Sequence, residues 1–212
     1  MRWLEIRISI FLVVWGSVTL FHLVTYFGSQ FLEGEPRTVG WKIDARIPFC
    51  PGFVYIYCSW FPLLFFVPVL LNVYDCALCI RYFAAMVFDL AISTAIYLLV
   101  PTTFERPEIT AKGLTGFAMR TVYGANHRFL NCAPSLHCSA AMLFAICMVC
   151  CGAMPFVLRG ILFLLSLGIV ASTVLVKQHV LVDVLTAIPT IAVCWLLSGL
   201  PCITALIEKL IA

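Results

Sequence analysis

Residues 158–200 read LRGILFLLSLGIVASTVLVKQHVLVDVLTAIPTIAVCWLLSGL, and Arg159, Lys177 and Asp183 are the only Asp, Glu, Lys or Arg among them. A helix needs about 20 mostly apolar residues to cross a bilayer. The stretch holds two such runs, 158–176 and 180–200, split by Lys177-Gln178-His179 and closed by Pro201. Working outward toward the N-terminus, four more runs follow the same pattern: 8–30, 52–72, 79–100 (interrupted by Asp89) and 136–152. Glu33, Pro36, Asp75, Arg81, Pro101 and Pro155 mark their edges. The expected fold is all-α: a polytopic membrane protein, one domain over 1–212, built as a bundle of six transmembrane helices.

Composition excludes the other classes. The chain has 212 residues, 63% hydrophobic and 11% charged, with a mean hydropathy of +1.08. A soluble domain carries about 25% charged residues, so this chain lacks the polar surface to cover a globule. Disorder needs the opposite bias, low hydrophobicity and high charge. The net charge of +3 gives no sign of a nucleic-acid partner. Arg2 and Arg7 precede the first run in the manner of a signal peptide, but the run is longer than a signal core and no small-x-small cleavage site follows. It is therefore expected to be a permanent span. Most of the 11 Cys sit inside apolar runs, where Cys behaves as a small hydrophobe. Cys50 and Cys132 lie nearer a membrane surface as a possible pair. Cys76 and Cys79 lack the second pair or the His that a zinc site needs.

Two connections are long, 31–51 and 101–135. With six spans, both fall on one membrane face together with the turn between the last two spans. That face carries Arg37, Lys42, Arg46, Arg106, Lys112, Arg120, Arg128 and Lys177. Either the loops are cytoplasmic, or these cations have a task other than topology. No internal repeat suggests a transporter.

The polar residues gather on the same face. Arg106-Pro107 follows the third run, Pro134-Ser135-Leu136-His137 opens the fourth, and His179 with Asp183 opens the sixth. His179 and Asp183, four apart on a helix, share a side. A carboxylate bonded to one imidazole nitrogen fixes the tautomer and leaves the other nitrogen free to attack. His137 can serve as general acid. A helix start at Ser135 offers N–H groups to a phosphate, and Arg106 adds a fork of donors. Singly, each is an ordinary interfacial residue or helix start; together, from three spans, they are expected to form a phosphoryl-transfer site.

These residues resemble the type-2 phosphatidic acid phosphatase superfamily of six-span membrane enzymes, whose motifs run K-x6-R-P, P-S-x-H and S-R-x5-H-x3-D. Here stand Arg106-Pro107, Pro134-Ser135-Leu136-His137 and Ser172-x6-His179-x3-Asp183. Leu136, and the stretch DARIPFCPGFVYIYCSWF at 44–61, are similar to the branch of sphingomyelin and inositol-phosphorylceramide synthases. The resemblance covers most of the chain. It departs at Leu99 and Thr173, where the family has Lys and Arg. It implies that His179 is the nucleophile and forms a phosphohistidine, Asp183 orients it, and His137 protonates the leaving group. Arg106 and Ser135 then hold phosphate, with Lys177 as the nearest substitute for a missing cation and Arg120 and Arg128 as others. No cofactor or metal is expected.

The expected activity is metal-independent hydrolysis of a lipid phosphate monoester or pyrophosphate. The alternatives are a head-group phosphotransferase and a non-catalytic scaffold or transporter. The expected partners are a lipid phosphate and membrane lipids, and the compact chain looks bacterial, with the site at the outer face of the cytoplasmic membrane. Of the remaining polar residues, Asp89 is expected to bond Ser93 or Ser59. His22 is expected to be packed or interfacial, and His127 solvated. Tyr55, Tyr57, Trp60 and Tyr74 resemble an aromatic belt. Pro62 and Pro68 are expected to bend the second span.

Overall fold

A computed structural model describes residues 8–32, 34–125 and 130–211. Arg2, Arg7, Glu33, His127 and Arg128 lie outside that set. The described chain is helical throughout its apolar runs: α1 (Ile8–Leu32), α2 (Val54–Cys58), α3 (Trp60–Tyr74), α4 (Cys76–Leu99), α5 (Gly113–Ala125), α6 (Leu136–Cys150), α7 (Phe156–Leu175), α8 (Leu181–Ser198) and α9 (Pro201–Ile211). Five helices are long and apolar enough to cross a membrane: α1, the α2–α3 unit from Pro51, α4, α7 and α8. At 15 residues, α6 is apolar but shorter than these five. This is a helical integral membrane protein. Its outward faces carry Leu20, Leu164 and Leu196, each more than 60% exposed. Such surface is at home only against lipid.

The helices begin where the sequence supplies caps. The Asp75 carboxylate accepts from Leu78 N at 3.0 Å to open α4. The Ser135 hydroxyl accepts from Cys138 N at 3.2 Å to open α6. Each satisfies an N–H that the helix itself leaves unpaired. Ser59 separates α2 from α3, one turn before Pro62, which has no N–H to give the Cys58 carbonyl. Pro68 has no N–H to give the Leu64 carbonyl four residues earlier. The Trp15 indole of α1 donates to that carbonyl instead, at 3.0 Å.

The packing places α6 at the centre, against α4, α7 and α8. Ser139, Ala140 and Ala141 are buried there; small residues let helix backbones approach closely in lipid. Phe144, Cys147, Ile169, Ile191 and Cys194 fill the core around it. By contrast, α1 rests on α4 and buries few side chains of its own.

Asp89 is fully buried in α4. Its carboxylate accepts from Ser93 at 3.3 Å and from Ser139 of α6 at 2.5 Å. Ser93 was expected; Ser139 replaces Ser59, because α6 and not the second span faces this side of α4. The eleven cysteines are reduced thiols, so Cys50 and Cys132 form no bridge.

Both long connections knit over the same end of the bundle. Strand β1 (Arg37–Thr38) pairs in parallel with β2 (Thr102–Thr103). Asp44 ties the first connection to the start of α8: its carboxylate accepts from Leu181 N at 2.8 Å, and its carbonyl accepts from the Lys177 ammonium at 2.8 Å. Within the second connection, expected to be loop over 101–135, α5 forms. Gly113 opens it at φ 63°. A Cβ on Gly116 would meet the Ala111 carbonyl at 2.1 Å, so no side chain fits there. Leu114 and Phe117 remain exposed on its outer side, as in a helix lying in the membrane interface.

Candidate active site

Thr173, near the end of α7, organises the turn into α8. Its carbonyl accepts from Gln178 N at 2.9 Å and His179 N at 3.1 Å. Lys177 between them takes a left-handed conformation, φ 52°. The reversal turns His179 inward, where it is 8% exposed, beside the fully buried Asp183. His179 Nδ1 lies 3.0 Å from Asp183 Oδ2. The same oxygen accepts from Val180 N at 3.1 Å, so the carboxylate is held by the helix start it caps. A proton on Nδ1 then points at the carboxylate, and Nε2 keeps its lone pair.

The start of α6 is fixed against this pair. Ser135 N donates to the Asp183 carbonyl at 3.2 Å. The Tyr97 hydroxyl of α4 donates to the Pro134 carbonyl at 2.5 Å, and Ala133 N donates to the Thr102 hydroxyl at 2.9 Å. One residue into the helix, the His137 ring faces His179 with centroids 6.1 Å apart. Tyr57 stacks on it at 4.6 Å and Trp60 at 4.1 Å. Tyr57 and Trp60 are 4% and 3% exposed; they wall the site and do not form a belt at the membrane surface, where Tyr55 is exposed.

The cations are distributed unevenly. The Arg106 guanidinium lies over two rings, 5.4 Å from the Phe104 centroid and 5.2 Å from that of Tyr123. Burial draws its pKa down. The Tyr123 hydroxyl donates to the Val176 carbonyl at 2.9 Å, and burial pushes its pKa up to about 12. This joins α5 and Arg106 to the turn that carries His179. The Lys177 ammonium is turned to the Asp44 carbonyl, and burial lowers its pKa more than Asp44 raises it. Leu99 is 80% exposed on the outside of α4. Arg120 reaches back to the Ala111 carbonyl at 3.4 Å, within its own segment.

The structure thus brings His179, Asp183, His137 and Ser135 into one cluster, with Arg106 joined through Tyr123 and Lys177 turned toward the loop. Comparison with protein-family models, curated proteins and solved structures gave no match. Among the described residues, no group of three or more His, Cys, Asp or Glu is placed to hold a metal ion.

Sequence reasoning gave two residues no place in the site. Trp60 and Gln178 each bury a side-chain nitrogen that has no hydrogen-bond partner among the described residues, as does His137 at Nε2. All three line a cavity of about 300 Å³ that runs along α1 between Trp15 and Phe27, with Phe61 and Leu64 of α3 as its other wall. His22 lines it too, edge-on to Trp60 at 5.7 Å. The only sequence signal was position: Gln178 adjoins His179, and Trp60 sits in an aromatic run.

Proposed function

We propose that this chain is an integral membrane lipid phosphatase that hydrolyses a phosphate monoester or pyrophosphate through a phosphohistidine. The observation that carries the reading is the Asp183-bonded imidazole of His179 facing the aromatic-walled imidazole of His137. One nitrogen base is oriented for attack, and a second stands across a gap from it. The resemblance to the type-2 phosphatidic acid phosphatases supplies the reaction. We take α6 as a sixth span, which leaves the termini on the face opposite the site.

In this scheme His179 Nε2 attacks phosphorus, and the bond from phosphorus to the lipid oxygen breaks. His137, protonated, gives its proton to that oxygen. Asp183 stabilises the positive imidazole that forms. Water then attacks phosphorus as His137 takes a proton from it, the phosphorus–nitrogen bond breaks to restore His179, and inorganic phosphate leaves. Arg106 holds phosphate oxygens, with the Ser135 hydroxyl in support, while Lys177 holds the turn that carries His179. The charge is carried by protein donors, so the reaction calls for no metal ion.

The test is release of inorganic phosphate from a panel of lipid phosphates by the detergent-purified protein in excess chelator. Release is expected from the wild type and not from His179→Ala. No release from any substrate would overturn the hydrolase reading. New phospholipid formed only when diacylglycerol or ceramide is added would instead assign transfer to an alcohol.

A further inference from the structure

We propose that the cavity beside His137 binds one hydrocarbon chain of the substrate lipid, with Trp60 and Gln178 donating hydrogen bonds to oxygen at the head of that chain. The inference rests on the phosphatase reading and names the substrate feature that the site recognises.

The two ends of the cavity differ in chemistry. Toward Trp15 its walls are mostly apolar: the Trp15 indole bonds the Leu64 carbonyl at 3.0 Å, and Leu23, Phe61 and Leu64 line it. Its near end carries His137, Trp60 and Gln178. Trp60 is 3% and Gln178 4% exposed, yet the indole and amide nitrogens lack partners among the described residues. A buried donor left unpaired costs about 1–3 kcal/mol, and native structures hold few of them. Two such donors beside an unpaired imidazole nitrogen make a receptor for an oxygen acceptor.

The size of the cavity selects the occupant. A helix with side chains is about 10 Å across, too thick for a space of about 300 Å³. That volume is at the lower end for small-molecule pockets and suits one chain. From Trp15 to Phe27 the wall rises about 18 Å along α1, an elongated shape. Continuity with the reaction gives the last argument. In a phosphate monoester, the oxygen that His137 protonates is the one bonded to the lipid's carbon chain. The chain therefore begins beside His137, which lines the cavity.

The experiment uses a long-chain monoalkyl phosphate with a diazirine at mid-chain, photolysed with the full-length protein in detergent micelles. Labelled peptides are mapped by mass spectrometry in the wild type and in His179→Ala, which does not turn the probe over. Saturable labelling of the Leu23 and Leu64 segments is expected. An alkane of the same length with the same diazirine but no oxygen is expected to label them far less. Trp60→Phe keeps the ring and removes the N–H, and Gln178→Leu keeps the bulk and removes the amide. Each is expected to raise the half-saturating probe concentration about fivefold, the worth of one neutral hydrogen bond.

Unsaturable labelling spread over the lipid-facing Leu164 and Leu196 would overturn the proposal. So would equal labelling by the alkane, or unchanged half-saturation in both variants while circular dichroism reports the wild-type helix content. Labelling requires no turnover. A protein that labels in the cavity but releases no phosphate keeps this site and loses the hydrolase reading. One that releases phosphate but labels elsewhere does the reverse.

Discussion

Asp183→Asn isolates the charge of the His179 partner from its shape. The carboxylate is fully buried. Its Oδ2 accepts from both His179 Nδ1, at 3.0 Å, and Val180 N, at 3.1 Å, while Oδ1 has no partner among the described residues. An asparagine can place its single oxygen at the Oδ2 position and its amide nitrogen at Oδ1. The ring orientation and the helix cap then survive, and the negative charge is lost. The charge matters most when His179 becomes positive, on forming the phosphohistidine. A hydrogen bond to a charged group is worth about 1.5–3 kcal/mol, so kcat is expected to fall about 10- to 100-fold. KM should stay near the wild-type value, because Asp183 does not touch substrate. The measurement is steady-state phosphate release together with acid-quenched trapping of labelled phosphohistidine, with melting temperature as the control for folding. Wild-type kcat in Asp183→Asn, with His179→Ala inactive, would refute the reasoning. The carboxylate would then be a helix cap and nothing more.

Three further expectations follow from the packing. Ser139→Ala removes the 2.5 Å bond to Asp89; bonds of this kind within a bilayer average about 0.6 kcal/mol and reach about 1.7, so a lowered melting temperature in detergent is expected, and no change would remove this bond from the stability of the α4–α6 contact. Gly116→Val drives a side chain into the Ala111 carbonyl, which a Cβ alone would meet at 2.1 Å, so α5 must shift or unwind. Protease sensitivity around 111–125 is expected to rise, and wild-type resistance would show that the contact relaxes without cost. Lys177→Met cuts the tie to the Asp44 carbonyl at a cost of about 1–3 kcal/mol for a charged donor, with a lowered melting temperature and a modest rise in KM. A large fall in kcat at unchanged melting temperature would mean that the ammonium serves the reaction directly.

What was legible in the sequence followed one physical rule. Charge is excluded from the hydrocarbon layer, so the charge-free runs fell within a few residues of α1, the α2–α3 unit, α4, α6, α7 and α8. His179 and Asp183 were legible because helical spacing makes four residues a contact distance. Two helices escaped. In α5, Gly113, Gly116 and Gly124 break the apolar pattern, and the helix exists because Met119 packs under it against Val54, Tyr57 and Val176. In α9, Pro201 looked like a terminator, but a proline fits the first turn of a new helix. The polar partners that cross between helices were harder still. Nothing local ties Asp89 to Ser139, or Trp15 to the carbonyl that Pro68 leaves unpaired. Those pairings depend on which helix lies beside which. The same holds for Trp60, whose place against His137 turns an aromatic in a run of aromatics into a wall of the site.

The position of His137 relative to His179 is set from several directions. Tyr97 of α4 holds the Pro134 carbonyl, Thr102 beside β2 holds Ala133 N, and Asp183 of α8 holds Ser135 N. One turn deeper, Asp89 of α4 holds Ser139. Each bond alone is worth little. Together they come from three separate parts of the chain and leave the start of α6 no free direction of movement. In the proposed reaction, where His179 takes the phosphoryl group while His137 protonates the leaving oxygen, a misplacement of about 1 Å would cost about a hundredfold in rate. The carboxylate in the middle of α4 is therefore best understood as part of the support for His137. This accounts for an ionisable group in the bilayer interior, an expensive place for one, without a role in moving protons. Two of the eight basic residues on the loop face also have structural tasks. Lys177 fastens the first connection to the turn before α8, and Arg106 lies against the rings of Phe104 and Tyr123. For these two residues the positive charge builds the roof over the site, a task independent of which side of the membrane the loops face.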